Sequence, residues 1–520
     1  MKKIALFLCA LALAACTAKE STPLILNIEG GQVQGVAADL PGITVYRGIP
    51  YAAPPLNDLR WKEPQPVVPW DGVLVADKFG HPGYQAVHYP GGYFTEWGYG
   101  DEAPYSEDCL YLNVWTPAAG DTNAKLPVAY WIHGGGYREG WGSEPEFDGQ
   151  EFAAKGVVLV SINYRLGVFG FLAHPELAAE SPHGVSGNYG VLDMIQGLKW
   201  VKNNIAQFGG DPDNVMIFGQ SAGGGAVRTL CESPLAKPYF NKAVIMSAGG
   251  MGGMGGGRSA RPAAPANAPR AASRSAAAMF GPLTLEQIQL NNKVILDWAG
   301  LTDLKKMRAA GTETIYALST IYAGANGMNG GGGMFGAGPS LTGAPIVDGY
   351  VSLESFDQAA EDGTLADIPY MIGYTKDDMG DMAEGIGTFC INRQQKGNKA
   401  FAYQFARPLP DDGSQKVYVL KGAFHSSDLW YVFKSLKHCW RPWTQGDWDL
   451  ADKEITYWAN FAKYGDPNGP DGGEWTPYTQ ENPKFMVFKL DENDKEASAM
   501  GDPVRGERFS WPPVDPAASK

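Results

Sequence analysis

One serine in the sequence has neighbours that suit nucleophilic catalysis. Ser221 stands in the pentapeptide Gly219-Gln-Ser-Ala-Gly223, directly after the apolar run Val215–Phe218. A strand that turns sharply into a helix needs small residues at the two glycine positions, and such a turn lifts the serine hydroxyl clear of the sheet. The same turn directs the free N–H of Ala222 toward the group under attack. A capping serine would give the same pentapeptide, so other residues must support this interpretation.

A second glycine motif predicts donors for a developing negative charge. The apolar run Pro127–Ile132 is followed by His133, which we interpret as structural, and then by three glycines. Three glycines after a strand allow consecutive backbone N–H groups to point into one small volume. A flexible turn would have the same composition, but together with a downstream G-x-S-x-G the motif matches the arrangement of esterases and lipases. We therefore predict an oxyanion hole made by the N–H groups of Gly135, Gly136 and Ala222.

Alternating strands and helices must position these motifs. Apolar or β-branched runs at 156–163, 215–218 and 243–247 are typical of strands buried on both faces. Apolar residues recur at helical spacing between 191 and 205, and a further helix is predicted at 455–462. This alternation predicts a mostly parallel sheet with helices on both faces.

Length and charge narrow the class of protein. At about 150 residues a domain, 520 residues would allow roughly three domains. No charged or proline-rich linker divides the chain, however, so we expect one domain over 27–515, with glycine-rich insertions near 249–280 and 324–340.

The formal net charge of −14 without a basic run makes nucleic-acid binding a poor expectation. There is no C-x-x-C and no histidine cluster at ligand spacing, so we predict no metal site and no cofactor.

The first residues have the pattern of an export signal. Two lysines precede the apolar stretch Ile4–Ala15, which is too short to span a bilayer as a stable helix. The residues before Cys16 resemble a bacterial lipobox, so we predict a lipoprotein signal peptide over 1–15, a lipidated Cys16 and a tether over 17–26. An ordinary cleaved signal is the alternative. Either way we expect an exported protein, secreted or in the cell envelope (outer membrane or periplasm), whose membrane contact is a lipid anchor at Cys16.

Three stretches resemble the type-B carboxylesterases, the family that includes the cholinesterases. They are Tyr46–Pro55, which we interpret as irregular chain because of its prolines, the octapeptide Ser106-Glu-Asp-Cys-Leu-Tyr-Leu-Asn113, and, most specifically, Gly187–Gly224. The resemblance covers nearly the whole mature chain except 249–340. It implies an α/β-hydrolase fold, with a large mostly parallel central β-sheet flanked by helices and long insertions.

The resemblance also implies the acid and the base. The family places its acid just past a strand, and the matching position is Asp378, although the adjacent Asp377 leaves the register open. His425 matches the family's catalytic histidine, and we interpret Asp428, three residues on, as structural. Ser221, Asp378 and His425 then follow the Ser…acid…His order of this fold.

Two departures from the family pattern affect these expectations. The family usually pairs the Cys109 position with an upstream cysteine, but the matching region of this chain, Phe79-Gly-His-Pro-Gly-Tyr-Gln85, has none, so that disulfide cannot form. Cys109, Cys231, Cys390 and Cys439 remain after export; they allow three full pairings, and we expect a Cys390–Cys439 bridge. The residue before the serine, often acidic in the family, is Gln220, which makes a choline-type ester a poorer expectation.

Together these features predict a serine carboxylic-ester hydrolase acting on a small-molecule ester. His425 removes the proton of Ser221, an acyl-enzyme forms, and water releases the acid. A narrower alternative is a feruloyl- or tannin-type esterase for aromatic acyl groups, which the Trp- and Tyr-rich segment 84–105 permits. A non-catalytic binding protein on the same scaffold is the alternative from another class.

Overall fold

The chain forms one large and one small β-sheet with flanking helices. The computed structural model describes residues 24–87, 91–98, 104–251, 284–325, 341, 344–470, 472–507 and 509. Strands in these ranges are β1 (Ile25–Ile28), β2 (Gly31–Gln34), β3 (Val36–Ala37), β4 (Thr44–Pro50), β5 (Val73–Val75), β6 (Tyr111–Thr116), β7 (Leu126–Ile132), β8 (Val158–Ile162), β9 (Gly210–Gln220), β10 (Lys242–Met246), β11 (Tyr370–Thr375), β12 (Ala400–Phe405), β13 (Phe485–Phe488) and β14 (Ala499–Gly501).

Helices in the same ranges, short 3-10 turns aside, are α1 (Tyr93–Trp97), α2 (Gln150–Ala154), α3 (Gly167–Phe171), α4 (Pro175–Glu180), α5 (Tyr189–Asn204), α6 (Ala222–Glu232), α7 (Leu285–Trp298), α8 (Leu304–Ala309), α9 (Thr312–Ala325), α10 (Phe356–Asp362), α11 (Ala383–Gln395), α12 (Leu429–Val432) and α13 (Gln445–Tyr464). The predicted helices at 191–205 and 455–462 are therefore confirmed as α5 and as part of α13. The predicted signal peptide, Cys16 and most of the predicted glycine-rich insertions lie outside the described residues.

The large sheet is mostly parallel, which confirms the predicted fold class. Its strand order is β14-β13-β12-β11-β10-β9-β7-β8-β6-β4-β3. From β13 through β8 the neighbours pair in parallel, whereas antiparallel pairs lie toward both edges. The carboxyl ends of parallel strands meet at one edge of a sheet, which is where ligands bind in open α/β sheets. Strands β7, β9 and β11 all end at that edge, and the predicted site residues follow directly after them in the sequence.

The sheet is buried on both faces, as its apolar runs predicted. In β9, Val215 and Ile217 pack into one cluster with residues of α5 and α6. Met216 and Phe218 pack into a second cluster with residues of α2, α12 and α13. Successive side chains of a strand point to opposite faces, so the sheet separates two cores.

One stretch that we expected to be irregular is partly a strand. Residues Thr44–Pro50 form β4, which pairs antiparallel with β6, with a break in register between Tyr46 and Ile49. Gly48 lies in that break with φ of +70°. The prediction of irregular chain over Tyr46–Pro55 is therefore wrong for its first half. Pro50 is the last residue of this strand.

The predicted Cys390–Cys439 disulfide is also wrong. Cys109, Cys231, Cys390 and Cys439 are all free thiols. Cys390, on α11, belongs to the core that contains α5 and α6, whereas Cys439 packs against the core on the other face of the sheet. A disulfide requires Cα atoms within about 7 Å, and here the sheet stands between the two thiols.

Buried ion pairs fasten segments that surround the sheet, among them the following two. Glu107, in the octapeptide that leads into β6, accepts hydrogen bonds from Arg60 at 2.5 and 2.7 Å. Asp193, on α5, accepts hydrogen bonds from the guanidinium of Arg165 at 2.7 and 2.8 Å. Removing one partner of such a pair leaves an uncompensated buried charge, so each pair holds its two segments in one arrangement.

The described ranges contain neither a membrane-spanning helix nor a cluster of metal ligands. None of the helices there is both long and apolar enough to cross a bilayer. The same ranges contain no group of three or more His, Cys, Asp or Glu side chains placed to hold a metal ion.

Candidate active site

Ser221 lies on a strained turn between β9 and α6. Its backbone has φ of +57° and ψ of −121°, a conformation that residues other than glycine rarely adopt. Close packing of backbone explains the flanking glycines. A Cβ at Gly219 would come within 2.5 Å of Gly223, and a Cβ at Gly223 would overlap the carbonyl of Ile132. The N–H of Ser221 donates to the Met246 carbonyl at 2.9 Å, so the turn is held between β7 and β10.

The structure brings Ser221, His425 and Asp378 together. His425 Nε2 lies 2.8 Å from Ser221 Oγ, and His425 Nδ1 lies 2.6 Å from Asp378 Oδ1. A carboxylate only accepts hydrogen bonds, so we assign the proton to Nδ1 and the serine O–H as donor to Nε2. The three residues are 6%, 3% and 1% exposed, respectively. This arrangement allows the imidazole to take the proton of the serine.

Asp378 is held in its ionised form. Its Oδ2 accepts hydrogen bonds from the N–H and hydroxyl of Thr375 at 3.2 and 3.0 Å, and its Oδ1 accepts one from the N–H of Met379 at 2.7 Å. Burial by itself would raise the pKa of this carboxyl. The charge of His425 and the hydrogen bonds to the carboxylate outweigh burial and lower the pKa below its usual value.

Asp377, the alternative left open by the sequence, faces away from His425. Its Oδ2 accepts a hydrogen bond from the N–H of Ala423 at 2.8 Å, and its Oδ1 accepts one from the N–H of Glu507 at 2.9 Å. Its other charged contact is Lys376, at 3.7 Å. Asp377 therefore fastens the loop that leads to His425 and does not contact the imidazole.

The predicted oxyanion loop packs directly against the serine turn. Gly135 and Gly136 have φ of +89° and +62°, which favours glycine at both positions. A Cβ at Gly134 would come within 3.2 Å of the Cβ of Ser221, so this glycine, whose role the sequence did not reveal, permits the close approach. No described group accepts a hydrogen bond from the N–H of Gly135, Gly136 or Ala222, which leaves these donors available to a ligand.

His133 supports the same loop as a neutral ring. It stacks on Tyr164 with centroids 4.4 Å apart, and its Nδ1 lies 3.0 Å from the carbonyl of Gly134. Burial lowers the pKa of His133 to about 3, so the ring carries no charge at neutral pH. These contacts agree with its interpretation as structural.

Gln220 and Asp428 lie close to His425. The amide nitrogen of Gln220 lies 3.4 Å from His425 Nε2, on the side of the serine. Asp428, three residues after His425, is fully buried and accepts a hydrogen bond from the hydroxyl of Tyr403 at 3.3 Å. Burial, and after it the negative charge of Asp378, raises the pKa of Asp428 to about 7. Asp428 is therefore mostly neutral below pH 7 and is not the acid that contacts the imidazole.

One contact of His425 was not anticipated from the sequence. The hydroxyl of Tyr93 donates to the backbone carbonyl of His425 at 2.6 Å. The two residues are 332 positions apart, and no local motif marks Tyr93 as part of the site.

The chain is similar to known proteins over nearly its whole length. The model of the Carboxylesterase family matches residues 22–389 and 382–502. The sequence is 30% identical to carboxylesterase 1D of Mus musculus, with 91% of each chain covered. It is 45% identical to the fumonisin B1 esterase of Sphingopyxis macrogoltabida over 240 residues, which are 46% of this chain and 42% of that protein. A solved PNB esterase superposes with a TM-score of 0.70 at 26% identity, covering 92% of this chain and 97% of that one.

The two neighbouring aspartates provide a matched test of the acid. We expect Asp378→Asn to lower kcat for p-nitrophenyl acetate by ~10³–10⁴-fold, because an amide neither holds the productive tautomer nor stabilises the imidazolium. Asp377→Asn makes the same chemical change one residue earlier and should lower kcat far less. Steady-state kinetics of both variants check this. Equal losses, or a larger loss in Asp377→Asn, would contradict the assignment.

The burial of Asp428 predicts a pH-dependent stability. Its pKa is about 7 in the folded state against 3.8 ordinarily, so between these values the folded state keeps a proton that the unfolded state has released. Stability from this group is therefore lost as pH rises from about 4 to 7, and is constant above that window. The free energy of unfolding of Asp428→Asn, measured relative to that of wild type, should therefore rise by up to ~4 kcal/mol as the pH rises from about 4 to 7. Urea unfolding at pH 4.5, 6 and 7.5 measures the gain, and a pH-independent difference would refute it.

Proposed function

The chain belongs to the carboxylesterase family and is an ester-hydrolysing enzyme, and we propose that it works through an acyl-enzyme on Ser221. The contacts of His425 carry this conclusion, since one ring nitrogen lies 2.8 Å from Ser221 Oγ and the other lies 2.6 Å from Asp378. A nucleophile, a base and a group that orients the base are thus in hydrogen-bond contact in the order that nucleophilic catalysis needs.

Acylation begins when His425 Nε2 takes the proton of the Ser221 hydroxyl. The oxygen attacks the ester carbonyl carbon, and the carbonyl π electrons move to its oxygen to form a tetrahedral oxyanion. The N–H groups of Gly135, Gly136 and Ala222 donate to that oxyanion, and one such donor is worth ~10²–10³ in rate. Asp378 stabilises the imidazolium. His425 then gives its proton to the leaving alcohol as the C–O bond breaks.

Deacylation repeats the same steps with water as the nucleophile. His425 takes a proton from water, the hydroxide oxygen attacks the acyl carbon, and the same N–H groups hold the second oxyanion. The proton returns to Ser221 Oγ as the acid leaves.

The groups around the imidazole favour an uncharged ester. Gln220 places a neutral amide beside His425, where an acidic side chain would attract a cationic alcohol. Asp428, the other carboxyl close to His425, is half neutral near pH 7. We therefore infer small-molecule esters without a quaternary ammonium as the substrate class, and aromatic acyl esters of the feruloyl or tannin type as the narrower alternative.

We also propose that the protein is exported and anchored through a lipid on Cys16. Two lysines, a short apolar stretch and the Leu-Ala-Ala-Cys sequence ending at Cys16 support this. Lipids on the thiol and the amino group would together hold the protein stably at a membrane, whereas one acyl chain alone holds it marginally.

A p-nitrophenyl ester panel tests the nucleophile and begins to define the substrate. We expect wild type to hydrolyse one or more esters of the series from acetate to long acyl chains, or methyl ferulate, and Ser221→Ala to lose on the order of 10⁶-fold in kcat. Ser233→Ala is a matched control, since Ser233 is also buried and its hydroxyl has no described partner. Hydrolysis that survives in folded Ser221→Ala would contradict Ser221 as the nucleophile. No hydrolysis of any ester by wild type would favour the binding-protein alternative.

The lipid anchor has a separate test. In a bacterial host fed labelled palmitate, the wild-type protein should incorporate label and sediment with membranes. Cys16→Ala should do neither, because no thiol remains to be diacylated. Cys109→Ala, which changes a buried thiol, controls for general effects of losing a cysteine. A wild-type protein that is unlabelled and soluble would support the ordinary cleaved signal instead.

A further inference from the structure

The turn that carries His425 is buried and strained. Ser426, the next residue, has φ of +77°, in the left-handed region that a serine rarely adopts. Ser426 is 6% exposed and Ser427 is fully buried. Inside the turn, the N–H of Ser427 donates to the Phe424 carbonyl and the N–H of Leu429 donates to the Ser426 carbonyl. Neither of these hydrogen bonds involves the buried carbonyl of His425, which therefore needs a donor from outside the turn.

Tyr93 supplies that donor. Its hydroxyl lies 2.6 Å from the His425 carbonyl oxygen, and no other described group donates to this oxygen. Burial raises the pKa of Tyr93 well above its usual value, as does the nearby Asp378 carboxylate, so the hydroxyl keeps its proton over the working pH range. The Tyr93 ring also packs edge-on against Phe424, the residue before His425, with centroids 6.2 Å apart.

The short helix α1, which carries Tyr93, is anchored to the segment that follows His425. Glu96 accepts hydrogen bonds from Arg441 at 2.6 and 3.0 Å, and both side chains are essentially unexposed. The indole N–H of Trp430 donates to the same carboxylate at 3.0 Å, and the ring of Trp97 packs against Trp430 at 5.4 Å. These contacts fix α1 relative to the 424–441 segment.

We propose that Tyr93 is a positioning residue for the reaction, whose hydroxyl holds the His425 turn in the conformation that aligns the imidazole with Ser221. This role rests on the proposed function of His425 as the base. Tyr93 transfers no proton and forms no bond with the reacting groups; it satisfies a buried carbonyl and thereby holds a strained turn in place. The competing view is that the ring alone matters, as filler between α1 and Phe424.

Removing only the hydroxyl separates these two views. In Tyr93→Phe the ring and its packing remain, but the His425 carbonyl loses its donor. The turn can then relax, and a displacement of the imidazole by ~1 Å can cost up to ~10² in rate. We expect kcat to fall about tenfold while KM stays within about twofold, since the loss concerns the alignment of the base and not the binding of substrate.

Tyr46→Phe is the matched control. Tyr46 is fully buried in β4, and its hydroxyl has no described partner, so the same atom is removed without breaking a hydrogen bond. Both variants are assayed beside wild type for kcat, KM, the pH profile of kcat/KM and melting temperature, using the best ester of the panel. Glu96→Gln, which weakens the anchor of α1, is the second variant and should lower kcat in the same direction.

The outcomes separate this inference from the function on which it rests. A kcat loss in Tyr93→Phe that is absent from Tyr46→Phe, with KM and melting temperature little changed, supports the positioning role. Equal kcat in wild type and Tyr93→Phe, or a change confined to KM, overturns it while the esterase assignment stands. A Tyr93→Phe protein that does not fold also overturns it, by assigning the hydroxyl to folding. If the hydrolysis by wild type does not depend on Ser221, the proposed function and this inference are both overturned.

Discussion

Close packing of backbone around Ser221 is the constraint on which the rest of the site depends. Three glycines, at 134, 219 and 223, each lie where a Cβ would meet the backbone or side chain of another segment. The segments cannot separate without breaking the parallel ladders that join β9 to β7 and to β10. The glycine loop after β7 and the serine turn are therefore held at a fixed distance by the sheet itself. Donors fixed in this way need no reorganisation when charge develops on a substrate oxygen.

The site also depends on two carboxyl groups that lie close together in different states. Asp378 receives hydrogen bonds from Thr375 and Met379 as well as from His425, and stays ionised despite its burial. For Asp428, burial and then the negative charge of Asp378 raise the pKa to about 7. The charge and hydrogen bond of His425 therefore keep Asp378 ionised, whereas burial keeps a proton on Asp428. One anion beside the imidazole suffices to orient and stabilise it.

A buried ion pair holds the segment before Cys109 in place. The Cys109 thiol is free and buried, and the segment that precedes it is attached through the Glu96–Arg441 ion pair. A buried ion pair adds little net stability compared with apolar packing, but it specifies one partner, because any other arrangement would leave a charge buried without compensation. The contact of Tyr93 with the His425 carbonyl depends on that specificity.

The sequence by itself determined the features that adjacent residues encode. The glycines around Ser221, the glycine run of the predicted oxyanion loop and the strand–helix alternation were all recognisable, because tight turns and buried strands impose requirements on neighbouring positions. Resemblance to the family supplied His425 but left Asp377 and Asp378 open. Only the tertiary structure decided that Asp378 faces the imidazole, that Cys390 and Cys439 lie on opposite faces of the sheet, and that Tyr93 contacts His425. The two contacts of His425 join residues that are 47 and 332 positions apart. Such contacts form because separate loops meet at one edge of the sheet, and that meeting is not encoded by any pattern of adjacent residues.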